Sequence, residues 1–225
     1  GITGSVGKST TKEMVASVLQ TTYRVGKTPV NHNNDIGMPM AILGMPEDTE
    51  VAVLEMGMNH FREMAYLSQI AQPDIGAIVN IGTMHIEHLG SIEGIRKAKL
   101  EILEGMKEDA KLILNGDDVM LKNLPQLPLQ EVTYFASGEN NGAVRAVDVV
   151  DEEGSLSFKV VTAQQEFQIE GLFHAVHADD TLVHAVDRIL EFFASGRIDE
   201  DDFVVREMLL QSLGNDRHVV LLLSC

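Results

Sequence analysis

The sequence predicts an α/β fold: a parallel sheet flanked by helices, opened by a phosphate loop, with a small β-hairpin region in its second half. Three observations carry this. A glycine-bearing run, Gly4-Ser5-Val6-Gly7-Lys8-Ser9-Thr10, leads directly into a helical pattern. Short apolar runs then alternate with amphipathic stretches, the order expected of strands that pair in parallel beneath helices. Further on, Gly138, Gly142 and Gly154 punctuate short β-rich segments, which suggests hairpins.

The elements follow in order. Lys8 to Gln20 carries Met14, Val15, Val18 and Leu19 at helical spacing, with no Pro or Gly to interrupt it. Glu50 to Glu55 is an apolar run bounded by charge, a buried strand whose last residue is acidic. Phe61 to Ala71 reads as a helix ended by Pro73, and Asp74 to Ile81 as a second buried strand closed by Gly82. Ser91 to Met106 is a helix that Ser91 can cap, with Ile92, Ile95, Ile102 and Met106 on one stripe. Lys111 to Leu114 is a third strand, running into Asn115-Gly116-Asp117-Asp118. Short strands are expected at Val132 to Phe135, Ala143 to Val150, Leu156 to Thr162 and Glu166 to Ile169. Helices are expected across Leu182 to Phe193 and around Asp202 to Leu213, with Asp199 to Asp202 a solvated helix start, and Val219 to Leu223 as one more strand.

The chain has 225 residues, room for one large or two small domains, and 44% of them are apolar, enough for a real core. It holds 17 basic and 34 acidic residues, a net charge of −17. Phosphate backbones and anionic lipids would repel such a surface, so neither nucleic acid nor membrane is expected as a partner. One cysteine, Cys225, excludes an intrachain disulfide and a cysteine zinc site, and fits a reducing cytosol. Gly1-Ile2-Thr3-Gly4 falls where an α/β domain would just have completed its first strand, yet the pattern shows no strand before it. The chain therefore reads as a fragment or excised domain.

In the loop Gly4 to Thr10, glycines let backbone N–H groups turn toward one point and the helix N-terminus adds partial positive charge. Lys8 can reach β- and γ-phosphates, and the Ser9 hydroxyl can ligate Mg²⁺. The longer G-x-x-x-x-G-K-[ST] pattern would need Gly where Ile2 stands, so this is a shorter variant. A plain glycine turn with a solvated lysine is the alternative; the helix that follows favours phosphate. Acids at strand ends are natural magnesium ligands in such folds, which singles out Glu55. His85, after the next strand, is either a loop histidine or a further metal ligand. Lys99 lies on the apolar stripe of its helix, in steps of four, three and four from Ile95 to Met106. Either it snorkels outward, or burial lowers its pKa and leaves a neutral amine. Met38, Met40, Met56, Met58 and Met64 read as flexible packing rather than a cofactor box.

These residues resemble a known family. Thr3-Gly4-Ser5-Val6-Gly7-Lys8-Ser9-Thr10-Thr11-Lys12-Glu13-Met14, Asn33-Asn34-Asp35-Ile36-Gly37-Met38-Pro39 and Glu55-Met56-Gly57-Met58-Asn59-His60 are similar to segments of the Mur ligases of bacterial cell-wall synthesis. So are Asn80-Ile81-Gly82-Thr83-Met84-His85, Gly90-Ser91, Ala98-Lys99 and Asn115-Gly116-Asp117-Asp118. The match is dense to about residue 120; beyond 130 it is one of layout. Within the family, the second and third segments most resemble members that join D-alanyl-D-alanine to UDP-N-acetylmuramoyl-tripeptide.

The resemblance implies that residues 1–225 are the central ATP-binding domain of a three-domain cytoplasmic ligase, without its UDP-binding and C-terminal domains. It implies ATP phosphates on Thr3, Gly4, Ser5, Val6, Gly7, Lys8, Ser9 and Thr10, with Asn115 at the cofactor. Mg²⁺ would be held by Ser9, Glu55, His85 and Lys99, the last as a carbamylated lysine. Lys8, His85 and Lys99 would be the catalytic groups, and Asn33 to Asp35 would lie near the acyl substrate. The family's G-x-H-N-x-x-N adenine segment corresponds here to Gly171 to Ala178, with Ala175 and Ala178 at the asparagine positions. Other readings are a truncated or degenerate nucleotide-binding module, which those alanines favour, and a related amide ligase such as folylpolyglutamate synthase, which Asn33 to Pro39 argues against. Intact Lys8, Ser9, Glu55 and Lys99 argue against a protein-interaction domain that keeps only the fold.

Overall fold

The computed structural model describes residues 1–122, 124–125, 127–128, 131–138, 142–152, 155–172 and 218–222. The helices expected at Leu182 to Phe193 and around Asp202 to Leu213, and the adenine-segment residues Phe173 to Ala178, lie outside them.

The chain enters as a strand, β1 (Ile2–Thr3), and turns through the glycine loop into α1 (Lys8–Leu19). The expectation that no strand precedes the loop is corrected: Ile2–Thr3 is itself a short strand, bonded on both sides. It pairs in parallel with β4 (Ile75–Ile78), and Ile2 also donates to Leu54 O at 2.8 Å and accepts from Met56 N at 2.8 Å. Those last bonds attach a parallel pair, β2 (Val25–Lys27) and β3 (Val51–Val53), to the other edge of β1. From β4 the sheet continues in parallel through β5 (Lys111–Asn115), β6 (Glu131–Ser137) and β7 (Val144–Glu152). β8 (Ser155–Thr162) and β9 (Glu166–Leu172) add antiparallel hairpins, and β10 (His218–Leu222) lies parallel to β9.

Hairpins therefore form between β7, β8 and β9, but not between β6 and β7. Gly138 and Gly142 flank a connection that joins parallel strands. A crossover this short is possible because the two strands pair at three positions only, Phe135 to Ser137 against Val144 to Ala146. The chain has to step back by little more than the paired length.

Helices cover both faces. Residues alternate along each strand: Ala77, Val79 and Ile113 join Met14 and Ala16 of α1 in one core cluster, which continues along the sheet to Phe135 and Phe158. Ile78, Leu112 and Leu114 join Met64, Leu67, Ile95 and Ile102 under α3 (Glu63–Ala71) and α5 (Ile92–Leu100). The Ser91 hydroxyl caps α5 by accepting from Gly94 N at 3.0 Å, as the sequence predicts. The helix expected to reach Met106 tightens after Leu100 into a 3-10 turn over Glu101–Gly105. Two short helices are not expected from periodicity, α2 (Gly37–Leu43) and α4 (Ile86–Leu89). In α2, Pro39 falls in the first turn, where its missing N–H has no intrahelical partner to lose. Met38, Met56, Met58 and Met64 are buried packing groups, while Met40 is exposed. Among the described residues no helix is long and apolar enough to cross a membrane.

Candidate functional site

Parallel register gathers the predicted residues at one edge of the sheet. Ile2 pairs with Ala77 and bridges to Glu55, and Ile78 pairs with Leu114. The carboxyl ends of β1, β3, β4 and β5 therefore finish side by side, which brings Gly4, Glu55, Asn80 and Asn115 to the same edge. This is where open α/β sheets bind ligands.

The glycine loop is held from below by one amide. Asn80 Oδ1 accepts from Ser5 N at 2.9 Å and Val6 N at 3.0 Å, and its Nδ2 donates to Val6 O at 3.0 Å. Gly82 N donates to Ser5 Oγ at 2.8 Å. Gly4 packs so closely on β4 that a Cβ there would stand 3.0 Å from Val79 Cβ. Gly7 begins α1 with φ 85°, a left-handed conformation that favours glycine, and caps it without a side chain. The first turn thus presents its amides outward, together with half-buried Ser9 and Thr10. Asn80 stands in a quoted motif, yet the spacing of residues alone did not mark it as the loop's support, because its partners are 74 and 75 positions away.

Lys8 curls back over this loop and donates to Gly4 O at 3.0 Å and Ser5 O at 3.2 Å. Burial lowers its pKa, opposed by the nearby Glu55 carboxylate. Lys99 is 3% exposed, so the snorkelling alternative is corrected: its helix faces the sheet edge, not solvent. Burial first, and the charge of Lys8 second, lower its pKa to about 7. His85 sits at the start of α4 with φ 65° and is held below the ordinary imidazole value by burial and then by Lys99, with Glu87 opposing and Lys8 and His88 adding smaller effects. Lys8 therefore stands within electrostatic reach of Glu55, Lys99 and His85 at once.

Glu55 is 2% exposed. Its Oε1 accepts from Asn33 Nδ2 at 2.7 Å, and its backbone N–H donates to Thr28 Oγ1 at 2.9 Å. Gly57 permits the first contact, since a Cβ there would meet Asn33 Oδ1 at 2.9 Å. Asn33, expected near an acyl substrate, is thus placed as the residue that aims Glu55. Asn34 Oδ1 accepts from Gly37 N at 2.7 Å, holding the turn that leads into α2, and Asp35 is exposed. Asn115 is buried, with Nδ2 donating to Val79 O at 3.1 Å and Oδ1 accepting from Asp117 N at 2.8 Å, so its amide ties β5 to β4.

Two buried side-chain oxygens have no hydrogen-bond partner among the described residues: Thr3 Oγ1 and Glu55 Oε2. Both lie at this edge. An orphaned carboxylate oxygen beside a phosphate loop fits a magnesium ion, which takes one or two carboxylates and fills its other positions with water and phosphate. No cluster of three or more His, Cys, Asp or Glu able to hold a metal occurs among the described residues. Lys12 is a functional candidate that the sequence reading passed over. It is fully buried, with Nζ 2.8 Å from Thr28 O, 3.1 Å from Glu13 Oε1 and 3.8 Å from Glu55 Oε2. Its spacing with Ala16 on the inner face of α1 was the available signal. A groove of about 270 Å³ between α1 and the sheet, lined in part by Val15, Leu19, Val51, Ile75 and Ile113, contains none of the predicted site residues.

Fold and loop together define a phosphate-loop α/β domain. The chain belongs to the Mur ligase middle domain family, whose model matches residues 2–178. UDP-N-acetylmuramoyl-tripeptide--D-alanyl-D-alanine ligase of Bacillus subtilis (strain 168) is 47% identical over 169 residues, covering 75% of this chain and 36% of that protein. MurF from Acinetobacter baumannii has a similar structure, with a TM-score of 0.78 and 30% identity over 91% of this chain and 44% of that one. MurF ligase from Thermotoga maritima in complex with ADP gives a TM-score of 0.73 and 28% identity, over 97% of this chain and 46% of that one. The chain thus spans less than half the length of these relatives.

Proposed function

We propose that this chain is the central, ATP-binding domain of an ATP-dependent amide ligase of peptidoglycan precursor synthesis. The ligase would add D-alanyl-D-alanine to UDP-N-acetylmuramoyl-tripeptide in the bacterial cytoplasm. The relative named for that reaction, at 47% identity, supports the substrates. The observation that carries the chemistry is geometric: Lys8 lies over the glycine loop against Gly4 O and Ser5 O, at the same sheet edge as the buried, unpaired Glu55 Oε2. Since the relatives are more than twice as long as the matched region, we assign to this chain nucleotide binding and phosphoryl transfer rather than the whole reaction.

The loop from Thr3 to Thr10 would hold the phosphates through backbone N–H groups and the α1 N-terminus, with Lys8 neutralising charge on the transferred group. Ser9, Glu55 through its orphaned Oε2, His85 and Lys99 would hold magnesium. When bound, the ion supplies charge neutralisation on the phosphates. His85, kept unprotonated at neutral pH, has a ring nitrogen lone pair available. Lys99, half neutral near pH 7, can bond through its nitrogen to the carbon of CO₂ and release one proton, turning a buried cation into a carboxylate-like ligand. A carboxylate oxygen of the tripeptide would then attack the γ-phosphorus as the bond to ADP breaks. The D-alanyl-D-alanine amine would next attack the resulting acyl phosphate, and phosphate would leave from a tetrahedral intermediate. Asn115 would position the edge of β5 against the nucleotide.

A second reading, a nucleotide-binding module without turnover, is favoured by Ala175 and Ala178 at the positions of the family's adenine-contacting asparagines. Both readings require the loop to bind phosphate. Calorimetry with Mg-ATP tests this: the wild-type chain should bind, and Lys8→Ala should remove the binding. Equal affinity in the two proteins would refute the phosphate-loop assignment. Hydroxamate trapping of the acyl phosphate separates a ligase core from an inert module.

A further inference from the structure

A fully buried lysine that is not part of the phosphate loop needs an account. Lys12 Nζ makes hydrogen bonds to Thr28 O at 2.8 Å and Glu13 Oε1 at 3.1 Å, while Glu55 Oε2, at 3.8 Å, is beyond hydrogen-bond range. Glu55 therefore receives charge from Lys12 but no hydrogen bond, and Oε2 keeps its lone pairs open. The pair belongs to a chain of alternating charge that runs inward from half-exposed groups: Lys27, Glu13, Lys12, Glu55, then the amide of Asn33. A buried carboxylate without a counter-charge is costly, and one that had formed a full hydrogen-bonded pair would be closed to a metal. Lys12 avoids both conditions.

We propose that Lys12 is an internal counter-cation that stands in for a divalent ion at Glu55, so that the ion binds together with the nucleotide's polyphosphate rather than alone. A bare divalent cation approaching Oε2 meets the positive charges of Lys12 and Lys8 in a poorly solvated site, and repulsion of this kind at a few ångströms is large. Phosphate groups on the glycine loop bring several negative charges to the same edge and reverse the sign of the local field. Metal and nucleotide affinities are then coupled, and by linkage each raises the other. This rests on the assignment of Glu55 as the metal carboxylate and on no later step of the ligase reaction.

The test uses the 225-residue chain with Mn²⁺, followed by loss of the free-ion signal in electron paramagnetic resonance. Without nucleotide, Lys12→Met should bind Mn²⁺ roughly tenfold or more tighter than wild type, because a like charge beside the site is gone. Glu13→Gln, at a half-exposed position, should act in the opposite direction. It releases Lys12 from its other carboxylate and lets it close on Glu55, weakening Mn²⁺ binding measured with ADP by roughly three- to tenfold. A merely structural lysine would not give opposite signs. Unchanged or weaker Mn²⁺ binding in folded Lys12→Met overturns the proposal, as does unchanged or tighter binding in Glu13→Gln. If Lys12→Met does not fold, Glu13→Gln decides alone. ADP affinity measured in EDTA reports separately on the phosphate loop, so failure there is distinguishable from failure at Lys12.

Discussion

Lys99 makes a quantitative prediction. In the unfolded chain its amine has the ordinary value of 10.5, and in the fold burial and Lys8 bring it to about 7. Between these values the unfolded chain binds a proton that the folded chain does not, so the contribution of Lys99 to stability rises with pH across that window. Below about pH 7 both states are protonated and the fold carries the whole cost of a buried ammonium. At about 1.36 kcal/mol for each pH unit, that cost is about 5 kcal/mol. Raising the pH from 6.5 to 9.5 should relieve about 3 kcal/mol of it. Lys99→Met removes the amine and retains the apolar stem, so the Met variant should be the more stable protein at pH 6.5, by a margin that shrinks by about 3 kcal/mol at pH 9.5. Urea unfolding of both proteins in CO₂-free buffer at the two pH values measures this; groups that do not interact with Lys99 cancel in the difference, and His85, which Lys99 holds down, adds a smaller change of its own. Added bicarbonate at pH 8 should stabilise the wild type alone, with the added mass of one CO₂. A margin that is independent of pH, or that widens as pH rises, would refute the buried-amine reasoning.

Asn80→Ala removes three hydrogen bonds from the glycine loop and should cost about 2–3 kcal/mol in chemical denaturation; a variant as stable as wild type would mean that the loop keeps its shape without the amide. Asn80→Asp retains the two acceptor contacts but places a negative charge beneath the phosphate site, so it should lose ATP affinity more than stability by calorimetry. Ser91→Ala deletes the cap of α5 and should cost about 1 kcal/mol, with Ser91→Thr recovering most of it. Lys8→Ala and the Lys12 and Glu13 pair complete the set.

Much of the fold is legible in the residue pattern because local periodicity and caps encode it. The unbroken apolar run Ala77 to Val79 marks a buried strand, and Ser91 announces the start of α5. Less legible are elements whose cause is non-local. The parallel pairing of β6 with β7 follows from a three-position overlap that no turn signal reveals, and the 3-10 turn at Glu101–Gly105 is set by close packing on α3, where a Cβ at Gly105 would meet Ser68 O at 2.0 Å. At the site, Lys8, Ser9, Glu55, His85 and Lys99 could be named from motif and strand position. Asn33 and Asn80 stood within motifs, but their work on Glu55 and on the loop appears only once strands far apart in sequence are side by side.

What the order of residues indicated alone is a candidate class of site: a glycine turn before a helix can present amides to phosphate, and a lysine on an apolar stripe must escape, lose its charge or find a buried counter-charge. Tertiary structure decided which. Lys99 and Lys12 carry the same side chain on amphipathic helices; one is pushed toward neutrality by burial and then by a second lysine, and the other is encircled by Thr28, Glu13 and Glu55. Periodicity specifies the face a residue occupies, whereas its electrostatic environment depends on the groups that the parallel sheet brings opposite it.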